Sequence, residues 1–585
     1  MNSQRSQLIF VGVIVFAVVI VAIGLLSRSG GQPTEPVAVP NATPVATAAP
    51  ANAVIVSIES SNTKEDWLNA AVEKFNASGA KIANGQPIVV KVKHGGSGTG
   101  MDAILAGTSQ PVVYSPGTYV WIKQLNQKWQ DRNNRVLIKA DCPALTSEPF
   151  GIAMWQPMAQ ALGWPDKPIG LGDIAKLAAD PKGWASLNHP EWDTFKFGHG
   201  HPDYSNSGLL TMIAATYAGA GVTSGLTPDI VKSDTVISSV RALEQSVLHY
   251  GQLSTDLFNR MTTRGPGYLH AITAFESDVV KWNRQHGSEL RFPLVFIAPA
   301  GGTFWTEHPY CILDGAEWVT AEQKEAAEVF KQFLLNKEQQ TAAIAVGLRP
   351  ADQSLPLTAP LDAANGANPN VTAKNSPNLE YPNDETVTHI LDVFHQVKKK
   401  ATVILIVDTS GSMLGDKLKG ALDGANSFLQ QMEPDERVSV ISFSSTINEL
   451  NTLGRVGDVR EQLSQRIMGL YAQGSTALHQ VVITALDRMD AIQKQDEING
   501  ENRMYGIVLL TDGKNEISGG PSEADLLSKL PSGDQPGGVK LFTISYGADA
   551  NKDLMKTLAN RTNGKMFEGN PQNIRSVYLS ISAEF

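Results

Sequence analysis

The sequence predicts an α/β fold in more than one domain, and three observations carry that expectation. Its 585 residues exceed what one hydrophobic core ordinarily supports. Short apolar runs bounded by turn residues alternate with longer stretches of helical periodicity along most of its length. Hydrophobic residues make up 42% and charged residues 18%, a globular composition that confines long disorder to particular segments.

From the amino end, Leu8 to Leu26 contains no charged residue. A helix of that length, rising about 1.5 Å per residue, nearly spans a hydrocarbon core about 30 Å thick. The expectation is one transmembrane helix at 8–26 after a short cytoplasmic end at 1–7. A cleaved signal peptide is the competing reading, but its apolar region is usually shorter, about 7 to 15 residues, and Ser27-Arg28-Ser29 makes a poor cleavage site. No Cys stands near the end of the run to accept a lipid. Arg5 precedes the helix and only Arg28 follows it closely, so the bulk of the chain is expected outside the cytoplasm on a single-pass membrane anchor. Residues 27–53 are rich in Pro, Ala and Thr and read as a semi-extended spacer.

Residues 54–350 mix short strands, such as "PIVVKVKH" (87–94) and "PLVFIAPA" (293–300), with helices at 64–76 and 321–336. Residues 351–399 read as a linker, Asn-, Pro- and Ala-rich up to 382, followed by a connecting helix at 385–397 able to pack on the first region. From 400 to 585 the alternation is stricter. "ATVILIVD", "RVSVISFSS", "MYGIVLLTDG" and "VKLFTISYG" are apolar enough for buried parallel strands, with helical segments at 416–432, 476–494 and 550–560 between them. That pattern implies a doubly wound sheet.

In such a sheet ligands collect at the carboxyl ends of the strands. "LIVDTSGSM" (405–413) delivers Asp408, Ser410 and Ser412 to one such end, while Thr476 in "GSTAL" and Asp512 in "LLTDG" stand at others. Hydroxyls and carboxylates without His or Cys suit a hard cation, and so few charges suit Mg2+ or Mn2+ better than a Ca2+ cage. A capping loop is the plain alternative for "DTSGS" alone, since Asp and Ser are common helix caps. With Thr476 and Asp512 in place, D-x-S-x-S resembles the metal-ion-dependent adhesion site of von Willebrand factor type A domains, over about residues 400–585. The resemblance implies a Rossmann-like fold, metal contacts from Ser410, Ser412 and Thr476, Asp408 and Asp512 acting directly or through water, and an open coordination position filled by a partner protein's carboxylate.

In the first region, "SSNTKEDWL" (60–68) and "GGSGTG" (95–100) gather hydroxyls and free backbone amides where helices begin, as anion sites do. Met101 and Asp102 stand where a nucleotide-hydrolysing loop needs Lys and Ser or Thr, so that reading is rejected. The order of elements, with "VVYSPGTYVWIKQLN" (112–126) and "FGHGHPDYSNSGLLTMIAATYA" (197–218), resembles bacterial extracytoplasmic solute-binding proteins of the sulfate and phosphate type. It implies two lobes closing on a small solute or anion, with Ser61, Thr63, Ser97 and Ser115 facing it from one lobe and Ser205 and Ser207 from the other. Each of these is also an ordinary turn or cap residue type. If the resemblance holds, Cys142 and Cys311 run near the hinge between lobes. One disulfide between them is then the expectation, and two buried free thiols the alternative.

The net charge of -10 excludes phosphate-backbone binding, which needs clustered Lys and Arg. His199 and His201, with Asp203 nearby, lack a third Zn2+ ligand recognisable by spacing and read as structural. Trp155, Trp184, Trp192 and Trp305 read as packing rather than a sugar platform. No nucleophile–base set is recognisable by spacing. The function expected is therefore binding without catalysis: metal-dependent capture of a protein partner by a membrane-anchored protein, or alternatively a solute receptor associated with an ABC-type transporter.

Overall fold

The apolar runs form strands, and the helices between them cover both faces of three sheets. The computed structural model describes residues 50–585 apart from 51, 252–253, 373, 532–537 and 548. The expected helix at 8–26 and most of the spacer lie outside the described residues, among which no helix is long and apolar enough to cross a membrane.

The first lobe is built on β1 (Val54–Ser61), β2 (Ile88–Gly95), β3 (Val113–Ser115) and β10 (Cys311–Ile312), ordered β10-β3-β1-β2. Parallel pairing of β1 with β2 and β3 brings the ends Ser61, Gly95 and Ser115 to one edge. Alternation along β1 puts Val54, Val56 and Ile58 into a core with Trp67, Phe75 and Phe330.

The second lobe is built on β4 (Thr146–Trp155), β5 (Phe197–Gly200), β6 (Val247–Gly251), β7 (Ala271–Phe275) and β11 (Arg349–Pro350), ordered β11-β4-β7-β5-β6. Two more strands, β8 (Leu294–Ile297) and β9 (Trp305–Thr306), add to β4. The chain crosses between lobes three times, near residues 138–146, 306–311 and 345–349. Cys142 and Cys311, at the first-lobe ends of the first two crossings, are disulfide-bonded, their Cα atoms 4.7 Å apart.

Residues 351–382 are irregular, yet they are not a free linker. Leu361, Ala367 and Leu379 are buried, and Arg349 donates to the carbonyls of Val371 and Asn368. The following helix, Asp384–Val397, buries Ile390, Val393 and Phe394 against the second lobe.

The third sheet runs β14 (Ile447–Glu449), β13 (Arg437–Phe443), β12 (Ala401–Asp408), β16 (Met504–Thr511), β17 (Lys540–Tyr546), β18 (Met566–Gly569), with the short β15 (Gly454–Arg455) on β13. Strands β12, β13, β16, β17 and β18 are parallel. Every residue of β12 is buried because both faces are covered. Val403, Leu405 and Val407 pack with the helices Asp416–Gln431 and Ile574–Ser582, while Ile404 and Ile406 pack with Leu478–Asn499 and Lys552–Arg561.

One core runs unbroken from the second lobe into the third sheet. At this seam Arg260 holds Glu584 through two bonds of 2.9 Å, Lys565 holds Asp256 at 2.7 Å, and Lys398 holds Glu436 at 3.1 Å. Gly506 is required here, since a Cβ would meet the Phe585 ring at 2.2 Å. The seam meets the amino ends of β12, β16 and β17. Asp408 and Thr511 stand at the other ends, about 25 Å away along eight-residue strands.

Candidate functional site

Strand β12 has neighbours on both sides, β13 and β16, so its carboxyl end lies where the winding of the sheet reverses. Asp408 ends the strand fully buried. Its Oδ1 accepts the Ser410 N–H at 2.8 Å and its Oδ2 accepts the Thr511 hydroxyl at 2.5 Å, which locks the turn that follows. The Ser410 and Ser412 hydroxyls are 3.0 Å apart, and Ser412 donates to Asp512 Oδ1 at 2.7 Å. Thr476 arrives on the loop before the helix Leu478–Asn499. That loop is stitched to the first by Gly411 N–H to Gly474 O at 2.9 Å and Gln473 N–H to Thr409 O at 2.8 Å. A Cβ on Gly513 would stand 3.3 Å from Thr476 Oγ1, so this hydroxyl lies against the turn that carries Asp512.

All five residues singled out from the sequence therefore meet at one place. Burial raises the Asp408 pKa, and the neighbouring Asp512 charge adds to it, against the bonds from Thr511 and Ser410. A sixth residue was not foreseen: Lys417 Nζ donates to Asp512 Oδ2 at 2.6 Å. It lies in the first turn of the helix Asp416–Gln431, and no spacing rule marked it. Among the described residues no three His, Cys, Asp or Glu are grouped to hold a metal. This donor set, two carboxylates and three hydroxyls, fits a hard cation of the Mg2+ kind, and an ammonium already occupies its most accessible carboxylate.

The interlobe residues form two groups, between which no hydrogen bond runs among the described residues. In the first lobe Ser61 and Thr63 hydroxyls are 2.9 Å apart, and Lys64 Nζ donates to Ser61 Oγ and to Ser115 O, both at 2.8 Å. Ser115 Oγ donates to Pro309 O, and Ser97 Oγ accepts the Gly117 N–H, so both are partly spent on the fold. In the second lobe Ser205 and Ser207 pair at 2.8 Å at the start of the helix Asn206–Ala220.

Sequence reasoning missed the charged residues beside the first group. Thr63 Oγ1 lies 3.4 Å from His308 Nδ1, His308 Nε2 lies 3.3 Å from Glu148 Oε1, and Ser277 donates to Glu148 Oε2. Burial lowers Lys64 to about 7, raises Glu148 to about 7, and holds His308 well below its usual value. His308 also adopts a left-handed backbone, φ 43°. Lys64 could have been suspected from its place in "SSNTKEDWL"; Glu148 and His308 gave no local signal.

The two His once weighed for Zn2+ have other partners. His199 Nε2 lies 2.9 Å from Glu244, and the His201 ring packs edge-on to Phe394. Trp155 and Trp184 are buried in the second lobe, Trp192 packs against Trp184, and Trp305 lies beside Arg349.

Comparison with known proteins matches residues 56–349 to the family of bacterial extracellular solute-binding proteins and residues 402–576 to the von Willebrand factor type A domain. The inter-alpha-trypsin inhibitor heavy chain H4 of Bos taurus is 28% identical over 165 residues, 28% of this chain and 18% of its own length. The heavy chain H2 of Homo sapiens is 23% identical over 168 residues, 28% of this chain and 17% of its own. The chain thus spans less than a fifth of these relatives. Among solved structures, the sulfate-binding protein SubI of Mycobacterium tuberculosis aligns at 16% identity over 51% of this chain and 88% of its own, TM-score 0.34. A von Willebrand factor type A protein from Catenulispora acidiphila aligns at 20% identity over 32% and 42%, TM-score 0.27.

Proposed function

Since the chain belongs to the bacterial extracellular solute-binding proteins and carries a von Willebrand factor type A domain behind that module, we propose an extracytoplasmic binding protein that captures a protein partner through a divalent cation. The observation that supports this most directly is the unbroken contact from Asp408 through Ser410 and Ser412 to Asp512. Ser410, Ser412, Thr476 and Asp512 would hold Mg2+ or Mn2+, with Asp408 orienting the loop or acting through water. When bound, the ion supplies a positive charge and a position open to an acidic side chain of the partner. The chain's own residues bind and orient, and we assign no catalytic step.

The apolar run 8–26 supports single-pass anchoring in the cell membrane, with the described modules held outside. Titration of Mg2+ and Mn2+ into the metal-stripped full chain by calorimetry tests the reading. One site with micromolar to millimolar affinity, lost in Asp512→Ala, is the expected result; no metal binding at all would remove its basis. The second reading, a solute receptor associated with an ABC-type transporter, draws on the hydroxyl groups at Ser61, Thr63, Ser115, Ser205 and Ser207. It predicts a small solute or anion co-purifying with the chain and visible by native mass spectrometry.

A further inference from the structure

Where β6 meets the amino ends of β12, β16 and β17, a crevice opens that belongs to neither the metal centre nor the interlobe hydroxyls. It is lined by His249 and Tyr268 from the second lobe, Lys399 from the connection, and Arg503 and Lys540 from the type A domain. About 30 Å3 is left for the centres of water-sized atoms, enough for more than one water or a small anion.

Its polar groups are under-used. His249 is 3% exposed, yet its Nδ1 has no hydrogen-bond partner among the described residues, and neither does the hydroxyl of Tyr268, whose ring stacks on it at 4.1 Å. Each ammonium can donate three bonds. Lys399 donates to Val247 O at 3.2 Å, and Lys540 donates to Leu248 O. Buried polar groups are ordinarily hydrogen-bonded, so two orphaned ones in one crevice call for an occupant.

The surrounding carboxylates are already engaged. Glu584 binds Arg260 through both oxygens, Asp256 binds Lys565, Glu501 binds Arg503 at 3.3 Å, and Glu244 bonds to His199 and Tyr250. Lys399, Lys540 and the nearby Arg264 bond to carbonyl and amide oxygens rather than to a carboxylate among the described residues, which leaves positive charge in excess. Burial brings Lys540 down to about 7, with the Arg260, Lys399 and Arg264 charges adding to it, and burial brings Lys399 to about 8; an anion would oppose both shifts.

We propose that this crevice binds one small inorganic oxyanion of the phosphate or sulfate class, held by Lys399, Lys540, Tyr268 and His249 and bridging the second lobe to the type A domain. Arg503 stands at its wall, held by Thr402, Glu501 and the carbonyls of Ala401 and Asp435. Donors converging from four side chains suit several acceptor atoms, which a tetrahedral oxyanion offers and chloride does not. Its ligands come from both modules, so the bound anion ties their seam together by mass action.

The test is equilibrium dialysis of the full chain against labelled inorganic phosphate at constant ionic strength, paired with melting in phosphate, sulfate and chloride. Wild type should bind phosphate and melt higher in phosphate and sulfate than in chloride. Lys540→Met should lose binding at least tenfold, and Tyr268→Phe, which deletes one hydroxyl, should weaken it about fivefold to tenfold with the fold retained. If Lys540→Met does not fold, Tyr268→Phe and Lys399→Met decide. Thr63→Val, which alters only the interlobe hydroxyls, should leave seam binding intact. Phosphate binding that is lost in Thr63→Val and kept in Tyr268→Phe and Lys399→Met would place the anion between the lobes and overturn the proposal. So would no binding of phosphate or sulfate.

Discussion

Lys417→Met removes the ammonium that sits on Asp512 Oδ2 at 2.6 Å, and the consequence has opposite signs with and without metal. Lys417 is 34% exposed, so its pair with Asp512 is screened and worth about 0.2–1 kcal/mol. A divalent ion reaching Asp512 must displace that ammonium and then bear its repulsion. Together these penalties reach about 1–1.4 kcal/mol, so their removal should tighten Mg2+ and Mn2+ binding about fivefold to tenfold. In EDTA the same variant leaves Asp512, 1% exposed, without its cation and beside Asp408, at a cost of about 1–3 kcal/mol. Calorimetric titration of the metal-stripped full chain, with melting in EDTA and in saturating Mg2+, reads both effects. The expected pattern is tighter metal, lower melting in EDTA and recovery in Mg2+, with Lys417→Arg close to wild type. Unchanged or weaker metal binding in Lys417→Met would refute the idea that Lys417 competes with the ion.

Asp408→Ala removes the acceptor of both the Ser410 N–H and the Thr511 hydroxyl, so the Mg2+-dependent rise in melting temperature should vanish; Ser412→Ala should only reduce it. Hydrogen bonds to Asp203 and Glu433 raise His395 to about 9, so its stabilising charge is fully present below about 6.5 and is lost as pH rises through 9. With the side chain 35% exposed, the loss should be about 1–2 kcal/mol in denaturation at pH 6 and pH 9.5, and absent in His395→Gln. Arg260→Ala strands the buried Glu584 carboxylate and should cost about 3–5 kcal/mol by denaturant titration, while Arg260→Met with Glu584→Leu should recover most of it. Reduction of Cys142–Cys311 should lower the stability of the two-lobed module by about 2–5 kcal/mol in calorimetry with and without reductant; an unchanged melt would mean that the bond constrains nothing.

The type A domain was legible because its information is local. Four apolar runs give strands, and the Asp, hydroxyl and turn residues at their ends are contiguous in sequence, so position along the chain fixes position in the sheet. Lys417 escaped because its role depends on where the first helical turn aims, which the residue type does not say. Glu148 and His308 escaped for a different reason: they are 160 positions apart and reach each other only through the interlobe crossings. The composition of 351–382, rich in Asn, Pro and Ala, says loop or linker and does not say that Leu361 and Leu379 are buried. The cysteine pair was placed from a family likeness, since two Cys in a long chain say nothing of distance. Nothing local announced that the second lobe and the third sheet share a core, because each half of that core looks complete in its own segment.

The bond between Cys142 and Cys311 pins together two of the three segments that cross between the lobes. The backbone already joins those two, through the bridge Ala144–Pro309 and the bonds Leu145 N–H to His308 O and Tyr310 N–H to Pro143 O. The third crossing is joined to the first by the pairing of Arg349 with Ser147. Gly347, at φ +89°, stands on that segment, and any Cβ there would come within 3.1 Å of Val280. The three crossings thus form a single hydrogen-bonded strap, closed covalently at Cys142–Cys311, between the lobe that carries Ser61 and Ser115 and the lobe that carries Ser205 and Ser207.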